Sequence, residues 1–116
     1  MKIDTRKSGN VVIISPEGKM VIGEPVESFE ETVVDLVDRG EHLMVVDLSK
    51  VTRIDSSGVG SLVSALRNCR DEGGHVRLAG PSDHLRKVLE MMGLEQVFEI
   101  DADTESAISA LDTGSI

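Results

Sequence analysis

One segment concentrates the residues that could do chemistry: Asp47-Leu48-Ser49-Lys50-Val51-Thr52-Arg53-Ile54-Asp55-Ser56-Ser57-Gly58-Val59-Gly60. A carboxylate, two hydroxyls and two glycines follow an extended stretch and precede a helical apolar pattern. In open α/β sheets such strand-to-helix turns commonly carry function. The first N–H groups of a helix lack internal partners and sit at the positive end of its dipole, so a phosphate on Ser56 or Ser57 could be held there by backbone donors. The same three residues, Asp55, Ser56 and Ser57, also suit plain helix capping, because their side-chain oxygens satisfy free N–H groups.

Other chemistries fit less well. A serine hydrolase needs a G-x-S-x-G elbow with a base nearby; Ser56 instead follows Ile54-Asp55, and His42, His75 and His84 fall at the ends of other elements, where solvated side chains are expected. Gly58-Val59-Gly60 departs from a dinucleotide fingerprint at Val63, where glycine is required. Paired Cys or His spacings for a metal are missing, and Asp101-Ala102-Asp103 reads as a solvated helix cap. Cys69, the single cysteine, falls on an apolar helical stripe and is expected to be a buried thiol; Met91-Met92 reads as core filler. No cofactor, metal or catalytic residue is implied, so the protein is expected to hydrolyse neither esters nor nucleotides.

These residues must be positioned by the elements around them. Ile3 to Lys7 and Val11 to Ile14 read as a hairpin around Ser8-Gly9-Asn10. After Pro16-Glu17-Gly18, an extended Lys19 to Ile22 is expected next, separate from the strand at Val11 to Ile14. A helix then opens at Pro25, with Val26, Phe29, Val33, Leu36 and Val37 on one face and Glu27, Glu30, Glu31, Asp35 and Asp38 on the other, expected to be solvated, with attraction of a basic partner as the alternative. The apolar run in 42–48 suits a central strand covered on both sides. Val51 to Ile54 is a short strand, and Val59, Leu62, Val63, Leu66 and Cys69 mark a helix ending near Gly73-Gly74. Val76 to Ala79, the helix after Pro81-Ser82-Asp83, a strand at Val97 to Ile100 and a helix over Ser106 to Leu111 complete the alternation. Such alternation implies one α/β domain over 1–112, with a mixed, largely parallel sheet and helices packed mainly on one side. Residues 113–116 read as a flexible tail.

Composition narrows the function classes. The 116 residues carry 21 acidic and 12 basic side chains, a net charge of −9, which repels nucleic acid and anionic lipid and favours a protein partner. Aromatic residues make up only 2%, which leaves little for stacking on bases. No apolar run approaches the length of a membrane span, and the opening Met1 to Arg6 lacks a secretory pattern, so a soluble, cytoplasmic protein with neither membrane nor nucleic-acid partner is expected.

The order Asp47-Leu48-Ser49 followed by Asp55-Ser56-Ser57-Gly58-Val59-Gly60 resembles the signature of STAS domains, specifically the anti-sigma-factor antagonists. Gly18-Lys19-Met20, Gly73-Gly74-His75-Val76, Leu89 to Leu94 and Phe98-Glu99-Ile100 extend the resemblance over nearly the whole chain. It implies that Ser56 is phosphorylated by a partner that is both an anti-sigma factor and a serine-protein kinase of the histidine-kinase-like ATPase type. The resemblance further implies that phosphorylation releases that partner and that a phosphatase resets the serine. Where members commonly have Asp after Gly-x-Leu, this chain has Val21. With Ser57 as the alternative acceptor, the partner surface is expected to comprise Asp55, Ser56, Ser57, Gly58, Val59, Gly60, Ser61, Ser64 and Arg67, with Ser61, Ser64, Arg67 and Asn68 exposed on the helix. The same family supplies an alternative, a subunit of a stress-signalling scaffold or of a lipid-transport ABC complex.

Overall fold

The computed structural model describes residues 1–112; the expected tail at 113–116 lies outside the described residues. Eleven elements follow one another: β1 (Lys2–Ser8), β2 (Val11–Met20), α1 (Glu24–Asp38), β3 (Leu43–Asp47), β4 (Val51–Ile54), α2 (Ser56–Asp71), β5 (His75–Ala79), α3 (Asp83–Met91), a 3-10 turn (Leu94–Gln96), β6 (Ile100–Asp101) and α4 (Thr104–Asp112). The hairpin β1–β2 is antiparallel, and β2–β3, β2–β4, β3–β5 and β5–β6 are parallel, giving the order β1-β2-β3-β5-β6 with β4 also on β2. This is the mixed, largely parallel α/β sheet expected from the alternation of strands and helices.

Alternation along the strands divides the core in two, because successive side chains point to opposite faces. Val12, Ile14, Met44, Val46, Val76 and Leu78 face α1, α2 and α3, and meet Phe29, Leu36, Leu62, Cys69, Leu85 and Leu89. Val11, Ile13, Val45 and Ala79 face α4, through Ala107, Ile108 and Leu111. Three helices therefore cover one face and one covers the other, which explains why β2, β3 and β5 have near-continuous apolar runs. Cys69 is fully buried as expected, and desolvation pushes its thiol up to about 11, so it stays protonated and unreactive near neutrality.

Several local expectations are corrected. The stretches at Val11 to Ile14 and Lys19 to Ile22 are not separate: β2 runs unbroken from Val11 to Met20 through Pro16-Glu17-Gly18. Its second edge pairs with β3 at 12–14 and with β4 at 18–20, so Pro16 occupies the interval between the two ladders, where no strand bond is asked of that edge. The strand expected at Val97 to Ile100 shrinks to Ile100–Asp101, since the chain first closes a 3-10 turn that buries Leu94 and Phe98. Met91 and Met92 are not core filler; α3 turns Leu85 and Leu89 inward and leaves Met91 86% exposed. His75 is not solvated but buried on β5, with Nε2 3.0 Å from Glu99 Oε2, while the neighbouring Arg77 forks onto Asp101 at 2.8 and 3.1 Å. Asp101 thus serves as an ion-pair partner, and Asp103 caps α4 by accepting the Ser106 N–H at 2.8 Å.

Phe29 and Val34 lie on opposite faces of α1 and separate packing from helix propensity. Phe29→Ala removes a fully buried ring and is expected to cost about 3–5 kcal/mol, whereas Val34→Ala changes stability by no more than about 0.5 kcal/mol. Urea denaturation followed by far-UV circular dichroism measures both.

Candidate functional site

The geometry of the turn at Asp55 begins with β4. This strand pairs with the end of β2, bringing Met20 opposite Ile54, and the chain then turns directly into α2. Asp55 is the N-cap in extended conformation, and both of its carboxylate oxygens are used. Oδ1 accepts the Gly58 N–H at 2.9 Å and Oδ2 accepts the Ile22 N–H at 3.0 Å. One side chain therefore closes the first turn of α2 and also ties it to the bend between β2 and α1. That bend depends on Gly23, whose φ of +106° belongs to a region open to glycine alone. These bonds, first from Ile22 and then from Gly58, hold the Asp55 carboxyl below its ordinary pKa.

Gly58 is required by contact rather than by conformation. A Cβ at this position would stand 2.2 Å from the Met20 carbonyl oxygen and 2.7 Å from Ile54 Cγ1, so α2 enters with its backbone against the end of β2. Gly60, on the opposite side of the helix, would meet nothing with a Cβ. The two glycines of the motif thus have different roles: one admits the sheet, and the other leaves the outer surface flat.

Because Asp55 does the capping, the two serines are spared that task. Ser56, the first residue of α2, is exposed, and its hydroxyl has no hydrogen-bond partner among the described residues; Ser57 is half-buried. Val59 is half-buried and packs on the main core, Gly60 and Arg67 are exposed, and Ser64 is half-buried. Ser61 overturns the expectation of an exposed surface hydroxyl. It is 1% exposed, and its Oγ donates to the Gly58 carbonyl at 2.7 Å within its own helix. Gly58 is buried as well, and Asn68 is half-buried, so neither Gly58 nor Ser61 offers surface to a partner. Ile22 was missed by sequence reasoning. Held in place by its bond to Asp55, it is 74% exposed; an apolar residue between β2 and Gly23 was the available signal. Val21 beside it is half-buried.

The upstream Asp47-Leu48-Ser49 is structural. Asp47 accepts the Ser49 N–H at 3.0 Å and the Ser15 hydroxyl at 3.2 Å, while Leu48 is buried and its N–H donates to Ala79 at 2.8 Å. This fastens the turn between β3 and β4, and through β4 it sets where Asp55 emerges.

The STAS domain profile matches residues 2–107. The chain belongs to the STAS domain family. An anti-sigma-B factor antagonist of Bacillus subtilis is 26% identical over 109 residues, covering 93% of this chain and 97% of the relative. Among solved structures, a Thermotoga maritima protein assigned as an anti-sigma factor antagonist superposes with a TM-score of 0.87 at 25% identity, covering 95% of this chain and 94% of the other. The Bacillus cell fate determinant SpoIIAA in its phosphorylated form shares the fold with a TM-score of 0.72 at 24% identity, covering 93% of this chain and 97% of that one. These names denote regulatory binding proteins rather than enzymes. No helix of this STAS domain, among the described residues, is long and apolar enough to cross a membrane, and no group of three or more potential metal ligands occurs among them.

Two outcomes follow from the cap and the glycine pair. Gly58→Ala forces α2 off β2 and is expected to lose about 1–3 kcal/mol, whereas Gly60→Ala gains up to about 1 kcal/mol through helix propensity; urea melts compare them. The depressed Asp55 pKa means that its carboxylate stabilises the fold fully above the unfolded carboxylate pKa and ceases to do so as pH falls through the lower folded value. Asp55→Asn, which sets an NH2 against one of two N–H donors, is therefore expected to be least stable relative to the parent at neutral pH. The gap should narrow on acidification, as read from denaturation midpoints across a pH series.

Proposed function

We propose that this chain is an anti-sigma factor antagonist that binds an anti-sigma factor with serine-protein kinase activity while unphosphorylated and is released when Ser56 is phosphorylated. The observation that carries this reading is the free, exposed Ser56 hydroxyl at the entrance of α2, beside a carboxylate already committed to the backbone. A kinase can reach this oxygen without unfolding the cap, whereas Ser57 is half-buried. The curated relatives named as antagonists, and the phosphorylated state in which SpoIIAA is known, support the same assignment.

The switch is electrostatic. A phosphate adds about −1.5 to −2 charges next to Asp55 on a chain already at −9. The positive end of the α2 dipole tolerates it locally, so the fold persists. A partner packed over Ser56 and Gly60 would instead have to desolvate an unpaired dianion, which favours dissociation. A phosphatase in the cytoplasm would restore binding, and transcription would follow the partner exchange.

The test uses the kinase that co-purifies with the chain from its own cells. Mass spectrometry after incubation with ATP is expected to place one phosphate on Ser56, with none on Ser56→Ala and unchanged incorporation into Ser57→Ala. Ser56→Ala should retain the kinase in the presence of ATP, and Ser56→Glu should bind it poorly while melting like the parent. Phosphate on Ser57 alone, or equal affinities of the Ala and Glu variants, overturns the assignment.

A further inference from the structure

The exposed ridge of α2 is bordered by grooves of opposite charge. On the α1 side, Val34 is 45% exposed between Glu30 and Asp38, facing Ser64, Asn68 and Asp71 of α2. Six carboxylates and no lysine or arginine lie on α1, so this side is uniformly acidic. On the far side of the ridge, Val63 and the 43% exposed Val97 form an apolar floor flanked by Arg67 and Arg70, with Asp71 at the end. Neither arginine has an ion-pair partner among the described residues, although the chain carries a net charge of −9. Unpaired cations beside exposed apolar side chains on so acidic a protein are placed to meet carboxylates from outside.

We infer that α2 is read by a single partner protein whose contact surface is polarised, with lysine or arginine and an apolar anchor over Val34 on the α1 side, and glutamate or aspartate with a second apolar anchor over Val63 and Val97 on the other. The polarity fixes one docking orientation, since rotating the partner by half a turn about the contact normal sets like charges against each other on both sides. The ridge between the grooves begins at Ser56 and Gly60, so both are continuous with the proposed switch; Ser64 and Arg67 lie about 12 and 17 Å along the helix from Ser56. This inference rests on the reading of α2 as the partner surface, but its test needs no kinase.

Two synthetic amphipathic helical peptides, one of leucine and lysine and the other of leucine and glutamate, serve as probes in amide chemical-shift titrations of the isotope-labelled full chain. The lysine peptide is expected to perturb amides around Glu30, Val34 and Asn68, and the glutamate peptide those around Val63, Arg70 and Val97. Val34→Thr, which conserves charge and shape, should weaken the lysine peptide roughly fivefold. Arg67→Gln with Arg70→Gln should weaken the glutamate peptide about fivefold to tenfold, each change leaving the other peptide within about twofold. The titrations involve neither phosphorylation nor the kinase, so a failed switch and failed grooves give different results. If the lysine peptide spreads equally over Glu99 and Glu105, if Val34→Thr has no effect, or if the glutamate peptide does not localise beside Arg67 and Arg70, the polarised surface is wrong.

Discussion

Two backbone N–H groups from distant parts of the chain converge on the carboxylate of Asp55, and the geometry of the entrance to α2 depends on that convergence. Ile22 belongs to the bend leaving β2, and Gly58 to the first turn of α2; neither donor has a strand or helix partner of its own. An ionised carboxylate offers a separate acceptor oxygen to each donor, whereas an amide in the same place would set its NH2 against one of them. The close approach of Gly58 to the Met20 carbonyl supplies the steric half of the same constraint. Together they pin the start of a helix against the end of a strand and leave the next side chain, Ser56, with nothing to hold.

On the proposed reading, a site built in this way separates stability from signalling. Groups that support the fold point inward or along the backbone: Asp47 fastens the turn after β3, Ser61 returns its proton to the Gly58 carbonyl, and Leu48, Leu62 and Cys69 fill the core. The groups left outside, Ile22, Ser56, Gly60 and Arg67, contribute little to packing. On that reading, charge added at Ser56 would act on whatever covers α2 and leave the sheet beneath unchanged. This is the physical requirement for a phosphorylation that alters binding without unfolding the domain.

The covering of the sheet has a related consequence. With three helices on one face and α4 on the other, β3 is buried on both sides, and β2, β3, β5 and β6 form one parallel row. β4 is displaced from that row to the far half of β2, a placement made possible by Pro16 in the interval where β2 changes neighbours. The displacement carries Asp55 to the bend before α1, bringing α1 and α2 side by side at the exposed end of the site.

Residue pattern alone determined much of this. Period-three-and-four apolar spacing located α1 and α2, an unbroken apolar run marked β3 as central, and Asp-Ser-Ser-Gly before a helical stripe identified the capped turn and its serines. Each of these depends on interactions within a few residues, which a sequence displays directly. What the tertiary structure decided depends on partners far along the chain. The second N–H on Asp55 comes from 33 residues away and the Glu99 that meets buried His75 from 24, and no local pattern announces either. Pro16 reads as a break between two extended stretches until the two neighbours of β2 are known. Ser61 reads as surface because a serine can lie on either face of a helix; its burial follows from how α2 is rotated against the sheet, and the contact at Gly58 sets that rotation.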